Sequence, residues 1–395
     1  MQSSAGSALA PSRSLPRARV LAAGLALQLA FGLVFAWGEV APYVREANHW
    51  PSWLLGAVFS ATPLGYGMGT LVGGRLADRL PPRRLCWAGL VLLLVGLAVA
   101  FALPSGLTFL AFYAFLGLGV GGGVALTGTV AALVQVFPDR SGTMGGAATA
   151  AYAVSAIFQA PALGALIPHL GWLGALRVVG AASLLPGLAL LALMPSLPSP
   201  RLTAGGRAAR SVRELLRPPA VWTGCILVFS GAVLGPYAAV ALASDVIGSG
   251  LGAVLATAAV VVFAAGNATG RLVAGLASDR LGTGRVILTV LGLESVAAML
   301  LFTGLGPLSA PAAALAAGLS LGGSNGVMGR LALEAAPEAP NSTFGILFAA
   351  FAAGAVVGPI GGALTGGPAA WLLVGAPALL GFAVLVLRSR LLRRS

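Results

Sequence analysis

The segments "GGRLADRLPPRR" (residues 73–84) and "AGLASDRLGTGR" (274–285) are two copies of one pattern. Each has a glycine four residues before an Asp-Arg pair and ends in arginine. Asp78 and Asp279 stand 201 positions apart in a chain of 395 residues. A repeat at that period implies that the surroundings of one copy recur around the other.

Those surroundings are apolar. The chain is 58% hydrophobic and 8% charged, with a mean hydropathy of +0.96. That leaves too little polar surface for a soluble protein of this length. Apolar runs at approximately 20–44, 52–77, 84–103, 106–136, 142–168, 172–194, 219–243, 252–277, 285–304, 308–332, 343–366 and 369–388 read as twelve membrane-crossing helices. Barrel strands are shorter and alternate polar with apolar, so they do not fit. The first copy of the pattern follows the second run and the second copy follows the eighth. The expected fold is therefore an all-α membrane protein of two pseudo-symmetric six-helix halves, 20–194 and 219–388. A polar central loop (195–218) joins them, with "SVRELLR" as a short amphipathic surface helix. Residues 1–19 read as a disordered leader and 389–395 as a basic tail.

The net charge is +13, and every basic residue is an arginine. The arginines crowd certain connections: Arg13, Arg17 and Arg19; Arg75, Arg79, Arg83 and Arg84; five between Arg201 and Arg217; and Arg388 to Arg394. The connections "ALPSG", "GLGPLSAP" and "TGGPAA" carry none. This asymmetry predicts cytoplasmic termini and a cytoplasmic central loop in a cell (inner) membrane. It also argues against nucleic-acid binding, for which a basic face would be continuous.

No cofactor, metal site or enzyme chemistry is expected. Cys86 and Cys225 read as free thiols, and the only histidines are His49 and His169. "GLGVGG" (117–122) matches a dinucleotide fingerprint but lies inside an apolar run with no strand before it, so its glycines are expected to serve helix packing. "NST" (341–343) matches a glycosylation acceptor but falls on the predicted cytoplasmic side.

The repeated loop resembles the signature of the major facilitator superfamily. Gly74, Asp78, Arg79, Arg83 and Arg84 fit it in the first half, with Pro81 where glycine is usual. Gly275, Asp279, Arg280, Gly282 and Arg285 fit it in the second. The resemblance implies a gate in which loop carboxylates and arginines pair across the two halves and part when the halves rock. "GLVFAWGEVAPYV", "QVFPDRSGTMGGAATAAYAV" and "NATGRLVAGLASDRLG" further resemble the oxalate/formate antiporter and monocarboxylate porter branch.

Arg271 is the charge that the repeat does not explain, because Thr70 stands at its place in the first half. Eight residues separate it from Asp279, about 12 Å of helix. Placing a guanidinium there costs roughly 2.5–3.5 kcal/mol on insertion scales, so it needs a partner. The resemblance implies that this arginine binds a substrate carboxylate. A structural ion pair with Glu294, at similar depth in the next span, is the alternative. Asn267, one turn away, can hydrogen-bond an anion; the branch often has a titratable aspartate there. Phe351 stands about where the branch has a lysine for a second carboxylate, which argues for a substrate with one. Glu39 and Glu294 are candidate proton-coupling sites. Phe35, Trp37, Tyr152, Tyr237, Phe348 and Phe351 are candidate cavity walls.

The expected function is alternating-access transport of a small organic anion, a monocarboxylate, by proton symport or anion exchange, by a monomer in contact with membrane lipid. A drug or metabolite efflux carrier of the same fold is one alternative, distinguished by indifference to carboxylates. A non-transporting membrane sensor is another, distinguished by binding without flux.

Overall fold

The structure, a computed structural model, describes residues 17–34, 37–199, 212–304 and 306–392. The side chains of residues 52, 212, 240, 253 and 383–392 lie outside this description, as does Phe35. So do most of the leader, the middle of the central loop and the last three residues of the tail.

The described chain is helical, with no strand. The first half comprises α1 (Arg17–Phe31), α2 (Trp37–Asn48), α3 (Ser52–Ala77), α4 (Pro82–Ala102), α5 (Gly106–Thr108), α6 (Gly122–Val136), α7 (Ser141–Val154) and α8 (Ala156–Ala192). Between α5 and α6 the chain stays helical through wider turns, Phe109–Gly121. A short α9 (Val212–Leu215) occupies the expected surface-helix position in the central loop. The second half comprises α10 (Pro219–Ser230), α11 (Leu234–Gly248), α12 (Gly252–Leu281), α13 (Thr283–Phe302), α14 (Ser309–Gly326), α15 (Met328–Ala335), α16 (Pro340–Thr365) and α17 (Gly367–Leu392).

Taken in chain order these elements fit the twelve expected crossings, and eight helical spans among the described residues are by themselves long and apolar enough to cross a membrane. Some crossings are broken: α1 meets α2 through a 3₁₀ turn at Gly32–Val34, and α10 meets α11 through Gly231–Val233. The long α8 belongs to two crossings: it completes the one that α7 begins and then makes the next. Gly171 (φ 68°, ψ 167°) turns the chain inside it. Gln159 and Ser183, twelve residues to either side, hydrogen-bond at 3.0 Å, which requires the chain to reverse there. The positive φ explains why glycine holds that corner.

Lipid tails are as apolar as leucine, so helices in a membrane associate through close packing of small residues. Gly266 and Gly270 on α12 face Gly318, Gly322 and Gly326 on α14, all at four-residue spacing. A Cβ on Gly270 would stand 2.5 Å from the Leu319 carbonyl. Gly318, Gly322 and Gly326 press against the carbonyls of Phe263, Asn267 and Arg271 respectively. A like seam exists in the first half: Gly65 and Gly69 on α3, 201 positions before Gly266 and Gly270, meet the carbonyls of Phe115 and Val120, while Gly119 and Gly123 press against the carbonyls of Thr62 and Tyr66. "GLGVGG" thus belongs to a helix-packing seam, as expected. The halves meet each other where α3 packs on α16 and α7 packs on α12.

Gly123 packs against the Tyr66 carbonyl and the Thr70 amide, neither of which can yield as a side chain could. Gly123→Ala is therefore expected to destabilise the protein by roughly 1–3 kcal/mol, as overpacking does. Gly164, with nothing within 4 Å, offers the control. Gly164→Ala should be neutral or stabilising by roughly 0.5–1 kcal/mol. Thermal unfolding in detergent would report both.

Candidate functional site

The repeated loops sit at one end of the interface between the halves, but their carboxylates are not met there by loop arginines. Each closes on the first amides of a helix from the opposite half. Asp78 accepts hydrogen bonds from the Ser342 amide (3.0 Å), the Ser342 hydroxyl and Asn341 Nδ2 (3.0 Å), at the start of α16. Asp279 accepts from the amides of Gly142 (2.9 Å) and Thr143 (2.7 Å) and from the Thr143 hydroxyl (2.7 Å), at the start of α7. The first amides of a helix have no partner within it and carry its positive dipole end, so a carboxylate satisfies both. This corrects the expected arginine–carboxylate gate. Among the described residues, Arg79, Arg84, Arg280 and Arg285 pair with no carboxylate. Arg83 donates to the Ala192 carbonyl (3.0 Å) at the end of α8, within its own half. The arginine beside Asp279 is Arg330 of α15, at 3.5 Å and also of the same half. Burial pushes the Asp78 carboxyl above its ordinary pKa, against the pull of the hydrogen bonds from Ser342 and Asn341.

The motif glycines have a matching reason. Gly74 lies against the Asn341 carbonyl, and a Cβ on Gly275 would stand 2.5 Å from the Gly142 carbonyl. A second layer of contact lies deeper. Gly345 touches the Thr70 carbonyl and Gly146 touches the Arg271 carbonyl, again a symmetric pair. Together the two layers close this end of the interface.

Above the second layer lies a cavity of about 260 Å³ between the halves. It runs from Arg271, Asn267, Asn325 and Thr149 towards Leu64 and Ile360, which are exposed. Its floor is aromatic. Tyr66 packs on Tyr152 (ring centroids 5.3 Å apart) and on Phe348 (5.1 Å), and Phe348 packs on Phe351 (5.5 Å). Most of the remaining lining is aliphatic.

Arg271 is the charged residue of this lining, and only 6% of its surface is exposed. Its Nε donates to Asn267 Oδ1 (3.0 Å) and its Nη1 to the Thr149 carbonyl of the other half (2.9 Å). Both acceptors are neutral. No carboxylate among the described residues lies within ion-pair distance. The glycine seam explains its position: the carbonyls of Asn267 and Arg271 lie on Gly322 and Gly326, which turns the other side of α12 to the cavity.

Five expected site residues, Arg271, Asn267, Tyr152, Phe348 and Phe351, come together in the lining. Four do not. Trp37 is buried within the first half, donating to the Leu55 carbonyl (3.1 Å) and packing on Phe109 and Tyr113. Tyr237 stacks on Trp371 at 4.6 Å, while its neighbours Pro236 and Ala239 line the cavity. Glu39 is exposed on α2. Glu294 is fully buried but does not meet Arg271; its oxygens accept from the Leu234 amide (3.3 Å) and the Ser320 hydroxyl (3.4 Å). Helical phase separates these cases, since a residue one position away points about 100° round the helix. The sequence reading passed over Tyr66, Thr149 and Asn325. The last had a signal, a lone asparagine amid the small residues of "GGSNG".

The known proteins that this chain resembles agree with the geometry. The family model described as Major Facilitator Superfamily matches residues 21–258. An uncharacterised MFS-type transporter of Escherichia coli K12, YhjX, is 26% identical over 280 residues, 69% of each chain. Among solved structures, FucP in the outward conformation superposes with a TM-score of 0.70 at 14% identity, covering 93% of this chain and 98% of that one. The Escherichia coli fucose:proton symporter FucP (N162A) superposes with a TM-score of 0.72 at 16% identity, covering 95% and 99%.

The gate yields a test. Ser141 is buried and its hydroxyl has no partner, so Ser141→Cys removes no hydrogen bond. In a background lacking Cys86 and Cys225, adding Gly275→Ala or Asp279→Asn should expose that cysteine to maleimide from the loop side. Hydrogen bonds to a charged group contribute ~1.5–3 kcal/mol, so labelling should rise roughly tenfold or more. Unchanged labelling would mean that Asp279 does not hold the gate.

With the repeated loops, the helical crossings and the cavity between the halves, the family match completes the assignment: the chain belongs to the Major Facilitator Superfamily and is a membrane transporter of small molecules, not an enzyme.

Proposed function

We propose that this carrier moves a small organic anion bearing one carboxylate, which docks on Arg271 and Asn267 at the base of the cavity. The observation that carries the reading is a buried guanidinium lining a mainly apolar cavity without a carboxylate to neutralise it. A planar guanidinium and a carboxylate are matched in geometry, and arginine keeps its charge. Removing the anion would leave the charge facing an apolar wall, so the site favours cargo with one anionic end and an apolar body. Phe351 in a lining whose charged residue is Arg271 supports one carboxylate over two. The resemblance to the oxalate/formate and monocarboxylate branch points the same way.

The working parts are the two halves, 20–194 and 219–388, rocking about the cavity in a cell (inner) membrane. The arginine-rich gate end faces the cytoplasm, and the energy comes from proton symport or anion exchange. In this arrangement Arg271 has a second role. Its bond to the Thr149 carbonyl ties the halves together, and a bound carboxylate competes with that carbonyl for the same nitrogen. Cargo binding thereby loosens a contact between the halves.

A proton-coupled efflux carrier is the second reading, favoured by the aromatic and aliphatic walls. Uptake of labelled formate, acetate, lactate, pyruvate and oxalate into proteoliposomes separates the two, with L-fucose as a neutral control. On the anion reading one monocarboxylate accumulates, and Arg271→Gln lowers its uptake about 10- to 100-fold, the effect expected from losing a charged hydrogen bond. Asn267→Ala should cost less than tenfold, because it removes a neutral acceptor. If no acid moves, or if Arg271→Gln transports it normally, the efflux reading replaces this one.

A further inference from the structure

Glu294 is a fully buried carboxylate in α13, outside the cavity lining, and the site described above makes no use of it. Its position is unusual for a packing residue. Oε1 accepts from the amide of Leu234, the first residue of α11. Oε2 lies 3.4 Å from the hydroxyl of Ser320 on α14. The break at Gly231–Val233 separates α11 from α10, so α11 is a half-helix whose first amides need an acceptor from elsewhere. Glu294 supplies one.

The break is held on other sides by small contacts. Ser324 donates to the Gly231 carbonyl (3.0 Å), and Gly358 presses on the Val233 carbonyl. Below the break α10 packs against α16; above it α11 presents Pro236 and Ala239 to the cavity. A change at Glu294 therefore acts on the half-helix at the cavity's open end.

Among the described side chains, the titratable residues on elements packed against α13 are engaged elsewhere or distant. Cys225 sits in α10, one turn and more before the break. Tyr237 packs on Trp371, and Asp245 accepts from the Trp371 indole. On α12, Arg271 bonds Asn267 and Thr149 while Asp279 holds the gate. Arg280 lies beside Asp279 at the gate end, and Arg388 and Arg390 stand near the end of α17. Among the described residues no cation pairs with Glu294.

A carboxylate with two neutral donors and no cation is held by little more than the amide end of a helix. Ionised, it caps α11 and complements the dipole. Protonated, Oε2 can donate to Ser320 Oγ, and the cap on Leu234 weakens. We propose that Glu294 is the proton site of the transport cycle and acts by clamping α11: ionised it holds the cavity mouth open, protonated it releases α11 to close over the cargo. A proton bound in preference by the closed form shifts the population towards it by linkage.

The test uses the full chain in lipid nanodiscs and no cargo, so it stands or falls separately from the anion reading. Nitroxides are placed at Leu103→Cys and Leu308→Cys, exposed positions in the two mouth-side connections, in a background lacking Cys86 and Cys225. Their distance distribution is followed from acid to alkaline pH. The expected result is a shift to shorter distances on acidification and its loss in Glu294→Gln, which stays at the acid-form distribution throughout. Glu294→Asp, which keeps an ionisable group, should retain the shift with a displaced midpoint, and it serves if the glutamine variant fails to fold. A shift driven by Asp78, whose carboxyl burial also raises, would persist in Glu294→Gln, so that variant separates the two carboxyls. A wild-type distribution that ignores pH, or a Glu294→Gln distribution that still follows it, overturns the proposal.

Discussion

A carboxylate resting on the bare amide end of a helix is the contact on which this molecule depends. Asp78 and Asp279 each reach across the interface and cap a helix of the other half. The geometry is self-limiting, because the helix start must come within about 3 Å of the carboxylate. That approach is possible only because Gly74 and Gly275 leave room for the opposing backbone. With both caps made, the halves are joined at one end of the interface and the cavity lies beyond that end. Neutral amide donors suit such a contact. A loop arginine paired with each aspartate would add attraction but also a larger desolvation cost each time the interface closed.

Above the gate the two halves stop being equivalent. The same glycine seam packs α3 in the first half and α12 in the second, 201 positions apart. The seam fixes which face of each helix looks into the cavity. In the first half that register carries Thr70, which bonds within its own helix to the Gly67 carbonyl. In the second it carries Arg271. Symmetric packing thus delivers one charge to a site shared by both halves. The guanidinium reaches Thr149 of the first half, so the residue that marks the cavity also spans the interface. Glu294 marks the same asymmetry at the break before α11, where the second half holds a carboxylate that no cation among the described residues neutralises.

Two stretches show how a motif can be present in the sequence and mean something else. "NST" at 341–343 is no modification site in this arrangement, because Asn341 and Ser342 are the partners of Asp78. "PDRSGT" at 138–143 carries a family resemblance, yet its use here is to present the amides of Gly142 and Thr143 to Asp279. Both lie at the start of a helix soon after a proline, and that shared position was readable. Which carboxylate each would receive was not, since donor and acceptor are more than 130 residues apart. Likewise Trp37 and Tyr237 are aromatic residues in the right spans, but their helical phase turns them into the packing of their own halves.

The sequence by itself determined the membrane class, the twelve crossings, the repeat and the anomaly of Arg271. These follow from composition, run length and spacing, which act locally along the chain and need no partner. Tertiary structure alone decided which side chains meet: the helix ends that cap Asp78 and Asp279, the absence of an Arg271–Glu294 pair, and the company of Tyr66, Tyr152, Phe348 and Phe351. Each depends on how far two helices rotate and slide against one another. That is set by carbonyls seated on glycines across an interface, a contact between distant residues that no single stretch of sequence contains.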